Sequence, residues 1–194
     1  MNQRSNGKRL LALCGMAILL PGCASTLNKV TDKPFQESRA SPSIGTTVDD
    51  MKMDTLIAVN IKKAHPDLEG AHINVNSFNR IVLLTGEVPT EELKKLAGDT
   101  ARAYRGSREV YNELRVRTNS GMLARSNDSW LATKVRTRLV AEKGLNTRGT
   151  EVVVEDSVVY LMGITTQRDA KLMGTIASRV GGVQRVVKVF EYLD

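Results

Sequence analysis

A repeat inside the chain restricts its fold more than any single motif does. Ile81-Val82-Leu83-Leu84-Thr85-Gly86 matches Val158-Val159-Tyr160-Leu161-Met162-Gly163, and Val110-Tyr111-Asn112-Glu113-Leu114 matches Val186-Val187-Lys188-Val189-Phe190. Upstream, Asp50 through Ile61 aligns with Asp128 through Leu139. Self-similarity of this kind means one supersecondary unit built twice. Two units of about 65 residues follow, spanning 48–117 and 126–194, with a linker at 118–125.

Each unit reads helix, strand, strand, helix, strand. The first helix of unit one spaces Met53, Ile57 and Ile61 four apart, and unit two answers with Leu131, Val135 and Leu139. That spacing sets one apolar stripe against a sheet. Asp50 and Asp128 are expected as N-caps, and Pro66 and Gly144 lie where these helices should stop. Four short β-rich runs follow, Ile73–Asn76 and Ile81–Thr85, then Glu151–Val154 and Val158–Met162. The residues between them, Ser77-Phe78-Asn79-Arg80 and Glu155-Asp156-Ser157, predict hairpins of unequal loop length. Gly86 and Gly163 are expected to end the second strands, where a side chain would obstruct a turn or a close backbone approach.

The second helices are expected over Thr90–Tyr104 and Gln167–Val180, with Glu91 and Glu92 favouring the first through its dipole and Gly181-Gly182 closing the second. A strand-helix-strand crossover places the last strand parallel to a neighbour. The fold class is therefore α+β: two tandem αββαβ units, each a mixed three-stranded sheet with helices on one face. A unit this small is marginal alone, so the two are expected to pack together.

The N-terminus sets the compartment. Arg4, Lys8 and Arg9 precede an apolar run of about ten residues from Leu10 to Leu20, followed by Pro21-Gly22-Cys23. A basic segment, a short apolar core and a small residue before the cut make a secretory signal. The run is too short to cross a bilayer, which takes roughly 20 apolar residues. Leu20-Pro21-Gly22-Cys23 resembles a bacterial lipobox, which implies cleavage after residue 22 and acylation of Cys23. Ala24 follows where Asp would imply inner-membrane retention, so the resemblance implies the periplasmic face of a Gram-negative outer membrane. Residues 23–47, rich in Ser, Thr, Pro, Lys and Asp, cannot bury enough surface to fold and form a flexible tether.

Composition narrows the function classes. The chain carries 28 basic and 21 acidic residues, and removing the three basic residues of 1–22 leaves 25 against 21, a net +4. That is a mild positive charge suited to anionic lipid, without the clustered Lys and Arg of a nucleic-acid binder. Cys14 leaves with the signal and Cys23 is taken by lipid, so no disulfide is expected. His65 and His72 lack metal-ligand spacing with any Cys and are read as surface or loop histidines. No Ser-His-Asp order, Cys nucleophile or phosphate-cradling loop appears; no catalytic residue, cofactor or metal is expected.

The twin units with their Val-x-Leu-x-Gly strand ends, Val82 to Gly86 and Val159 to Gly163, resemble BON domains. Ala177-Ser178-Arg179-Val180-Gly181-Gly182-Val183-Gln184-Arg185-Val186 is similar to that domain's passage from helix to strand. Further features shared with dual-BON outer-membrane lipoproteins are Ile44-Gly45-Thr46-Thr47-Val48-Asp49-Asp50, Glu109-Val110-Tyr111-Asn112-Glu113 and Ser126-Asn127-Asp128-Ser129-Trp130. The resemblance covers essentially the whole mature chain. It implies binding of anionic phospholipid through the first helix of the second unit, together with support of division and outer-membrane integrity.

The residues carry a matching surface. Trp130, the only Trp, aligns with Lys52 and falls outside the Leu131/Val135/Leu139 stripe. At 100° per residue, Lys134, Thr137, Arg138 and Ala141 share its side. Helical geometry alone leaves two readings: an interfacial contact with indole at headgroup depth and cations at phosphates, or Trp130 packed against the other unit above a solvated face. The resemblance favours the first, and because unit one lacks the Trp, lipid contact is expected of unit two. The rival function is a protein-interaction adaptor for outer-membrane assembly machinery or for regulators of cell-wall hydrolases.

Overall fold

The computed structural model describes residues 44–117 and 122–193. The expected signal at 1–22, the lipid-attachment residue Cys23, most of the tether and the first half of the linker lie outside them. Unit one runs α1 (Ile44–Ala64), the single turn α2 (Pro66–Glu69), β1 (His72–Phe78), β2 (Ile81–Val88), α3 (Glu91–Ala103), β3 (Glu109–Asn112) and β4 (Arg115–Val116). Unit two runs α4 (Met122–Ala141), β5 (Thr150–Glu155), β6 (Val158–Thr165), α5 (Gln167–Ser178) and β7 (Arg185–Tyr192).

Both sheets are mixed, as the crossover requires. β2 pairs antiparallel with β1 and parallel with β3 and β4, and β6 pairs antiparallel with β5 and parallel with β7. The last strand of unit one is broken at Glu113-Leu114 because Leu114 turns into the helix-side core, where it is buried.

Side-chain alternation along the central strands builds the layers. Val82, Leu84 and Val88 of β2 face α1 and α3, where Met53, Ile57, Ile61, Leu93, Ala97 and Ala101 close one core. Val159 and Leu161 of β6 do the same with Leu131, Val135, Leu139, Met173 and Ala177. The alternate residues, Ile81 and Leu83 on β2 and Val158, Tyr160 and Met162 on β6, meet in a third cluster. The two helix-free sheet faces therefore pack on each other, leaving the helices as the outer layers. Each fully buried aliphatic contributes roughly 1.5–3 kcal/mol, so this shared face supplies what a single small unit lacks.

Four local expectations are corrected. Asp50 and Asp128 are not N-caps: α1 and α4 begin before them, at Ile44 and Met122. Each carboxylate instead accepts from the two backbone N–H groups of its unit's hairpin turn. Asp50 takes Asn79 and Arg80 at 2.8 and 3.0 Å, and Asp128 takes Asp156 and Ser157 at 2.7 and 2.9 Å. The hairpin loops are of equal length, two residues each, closed by the pairs Phe78–Ile81 and Glu155–Val158. All four loop residues have positive φ, between 48° and 66°, the geometry of the tight turn whose twist matches that of its strands.

Gly86 and Gly163 do not end their strands. β2 and β6 run on to Val88 and Thr165. The close backbone approach is real: a Cβ on Gly86 would lie 2.0 Å from the His72 carbonyl oxygen, and one on Gly163 2.2 Å from that of Gly149. Finally, His65 is the loop histidine expected, but His72 is not a surface or loop residue. His65 caps α2, its Nδ1 accepting from Asp67 N–H at 3.2 Å. His72 lies on β1 with Nε2 3.3 Å from Glu155 of the other unit.

Candidate functional site

α4 buries Asp128, Leu131, Ala132, Val135 and Leu139 and exposes Trp130, Thr137, Arg138 and Val140. Trp130 stands on that outward surface, 61% exposed, so it does not pack against unit one. Its indole is held from one side. Lys134, one turn on, places its Nζ 4.1 Å from the ring centroid and donates at 2.9 Å to the carbonyl of Gly181, in the loop between α5 and β7. An ammonium at this distance from an indole face is attracted by the ring quadrupole. Lys134 thereby ties the ring to the α5–β7 loop as well as to α4.

Thr137 and Arg138 continue the same exposed side one turn further along. The Thr137 hydroxyl donates to the Thr133 carbonyl oxygen at 2.9 Å. Arg138 is exposed and has no ion-pair partner among the described residues. Of the four residues expected at this face, Trp130 and Lys134 pair, and Thr137 and Arg138 are exposed on the same side of the helix. Val140, 73% exposed, was missed. Counting 100° steps places it 80° from Trp130 on the same outward half, so the spacing could have found it. Arg136 leaves this surface, donating to the Val152 carbonyl on β5 at 2.6 Å.

A second feature lies where the units meet. A cleft of about 540 Å³ has His72, Asn74 and Asn76 of β1 on one wall and Ser129, Arg136 and Glu151 of α4 and β5 on the other. Of the lining residues, Asn74 donates from Nδ2 to the Glu155 carboxylate at 2.8 Å. Burial pushes the Glu155 carboxyl up, and His72 opposes the rise. Burial also raises Glu151, against the pull of Arg136. Nearby Asp54 is raised from 3.8 to about 6, mainly by burial, with Glu151 and Asp50 adding repulsion. Further ion pairs rim the junction: Asp156 with Arg115 and with Arg117 at 3.1 Å, Arg108 with Glu191 at 3.0 Å, and Arg185 with Glu113 at 3.3 Å. Among the described residues, no group of His, Cys, Asp and Glu side chains is disposed to hold a metal ion.

What this arrangement can do is set by its chemistry. The α4 face offers an exposed indole beside a lysine, an unpaired guanidinium and an exposed aliphatic side chain, the ingredients of an interfacial contact. The cleft offers paired charges that join two units. Among the described residues, no helix is long and apolar enough to cross a membrane.

Comparison with known proteins adds the following. The family model described as "BON domain" matches residues 54–118 and 127–194. Over 190 residues the chain is 33% identical to outer membrane lipoprotein DolP of Haemophilus influenzae, covering 96% of this chain and 97% of that protein. It is 34% identical over 152 residues to a 21 kDa hemolysin of Actinobacillus pleuropneumoniae, covering 78% of each. Osmotically-inducible protein Y of Escherichia coli is 23% identical over 192 residues, with 96% of each chain covered.

Proposed function

Because this chain belongs to the BON-domain family and carries that domain twice, we propose that it is a lipid-anchored protein of the outer membrane's periplasmic face. There it binds anionic phospholipid through α4 and supports envelope integrity and division. The anchor reading is supported by the Leu20-Pro21-Gly22-Cys23 signal and by a relative, matched over 97% of its length, that is named an outer membrane lipoprotein.

The observation that carries the lipid reading is the outward indole of Trp130, clamped by Lys134 beside Arg138 and Val140. A large exposed aromatic costs solubility unless something covers it. An indole settles at the headgroup boundary, while each nearby cation contributes on the order of 1 kcal/mol at an anionic surface. The acyl chains hold the protein on a leaflet, and α4 then selects where on that leaflet it accumulates.

Vesicle flotation of the mature chain bearing Cys23→Ala tests this. Binding to vesicles containing phosphatidylglycerol, its absence on phosphatidylcholine alone, and its more than ten-fold weakening in Trp130→Glu at physiological salt are expected. Lipid-independent capture of assembly machinery or hydrolase regulators, with no flotation, would support the adaptor function in its place.

A further inference from the structure

We propose that the outward face of α1 is a second contact surface for anionic bilayer, so that one chain presents two membrane-binding faces and can hold two bilayer surfaces together. The bridging part rests on the α4 reading above; the α1 contact does not.

With Met53, Ile57 and Ile61 turned into the core, 100° steps place Met51, Lys52, Leu56, Val59, Lys62 and Lys63 within about 140° on the opposite side. The three apolar residues there are 66%, 48% and 40% exposed at Met51, Leu56 and Val59. A surface helix ordinarily keeps that side polar. The three lysines are exposed and have no ion-pair partner among the described residues. At the C-terminal end of α1, Val59, Lys62 and Lys63 open with His65, Pro66 and Glu69 onto a groove of about 430 Å³.

The chemistry selects the occupant. Lysines without partners call for a dense array of negative charge, and Met51, Leu56 and Val59 call for an apolar phase beneath it. Anionic lipid supplies both together; a soluble anion supplies only the first. The absence of a Trp in unit one, which assigned lipid contact to unit two, left this aliphatic set out of account.

The layering decides what two such faces can do. Ile81 and Leu83 of unit one meet Val158, Tyr160 and Met162 of unit two, so both sheets lie between α1 and α4. A flat bilayer resting on one outer layer leaves the other layer free for a second bilayer.

The test uses the full mature chain with Cys23→Ala and two populations of vesicles carrying donor and acceptor dyes. Clustering of phosphatidylglycerol vesicles, read as energy transfer between populations, is expected, with none for phosphatidylcholine alone. Combined Lys52→Glu, Lys62→Glu and Lys63→Glu should cut clustering at least ten-fold while α4 keeps the protein floating with vesicles. Trp130→Glu should also stop clustering while α1 retains flotation at low salt. Clustering by the triple variant equal to the parent's, or no clustering by the parent, overturns the proposal. So does lipid-independent binding of an acidic protein by this face with no lipid contact. Flotation lost in the triple variant but untouched by Trp130→Glu would sink the α4 reading and the bridging together.

Discussion

The ammonium of Lys134 lies 4.1 Å from the centre of the Trp130 ring and also donates at 2.9 Å to the carbonyl of Gly181. A side chain expected to meet lipid phosphate is thus engaged in fixing the indole and linking α4 to the loop before β7. Pre-ordering an aromatic anchor lowers the entropy lost on contact. Trp130→Glu is expected to weaken binding to anionic vesicles more than ten-fold and to leave thermal unfolding nearly unchanged, since the residue is exposed. Lys134→Ala should weaken binding only two- to five-fold, in keeping with a cation–π term of about 0.5–1 kcal/mol. Equilibrium flotation across a lipid series checks both.

Asp50 and Asp128 hold their hairpin turns by paired, charge-assisted hydrogen bonds. Both carboxylates are buried, at 5% and 7% exposure. Asp128→Ala is expected to cost about 2–4 kcal/mol, because two turn N–H groups lose a charged acceptor. Asp50→Ala should cost a similar amount. Urea unfolding midpoints measure the loss, and an unchanged midpoint would contradict this role for the aspartates.

Gly163 cannot accept a side chain. Its φ is +131°, and a Cβ would meet the Gly149 carbonyl oxygen at 2.2 Å and Thr150 Cα at 2.7 Å. Those neighbours are backbone, so the β5–β6 hairpin must open to admit even a methyl. Gly163→Ala is expected to destabilise by about 3 kcal/mol or more, the conformational strain adding to the clash. Gly181→Ala, which meets nothing within 4 Å, is the matched control and should unfold close to the parent temperature.

Asp54 sets a pH dependence. Its carboxyl titrates at about 6 in the folded chain against an ordinary 3.8, so the unfolded state gives up this proton first. The stability it contributes is full below the lower value and is lost as pH rises through about 6. Asp54→Asn should therefore stabilise the protein near neutral pH by on the order of 1 kcal/mol, the effect being softened by the water that reaches a half-buried carboxylate. Near pH 4 the substitution should bring no such gain. Thermal unfolding across that range tests the sign.

The repeat, the apolar stripe at Met53, Ile57 and Ile61, and the order αββαβ were legible because each depends on spacing along one element. The face around Trp130 was legible for the same reason: helical geometry alone says which residues share a side. Asp50 was misread because a carboxylate near an expected helix start has a local partner in the sequence. Its real partners, the N–H groups of Asn79 and Arg80, are 29 and 30 residues away. His72 was read as a surface or loop residue for the corresponding reason, since Glu155 belongs to the other unit.

By itself the sequence determined the two units, their secondary structure and the amphipathic character of their first helices, because periodicity is a property of neighbours in the chain. Only the tertiary structure decided that the sheets pack on each other through Ile81, Leu83, Val158, Tyr160 and Met162. It also decided that Trp130 remains in solvent. Every residue of β2 is buried, and nothing in a run of apolar residues states what covers its second face. That answer came from packing between segments far apart in the chain, where the burial of apolar area outweighs any local preference.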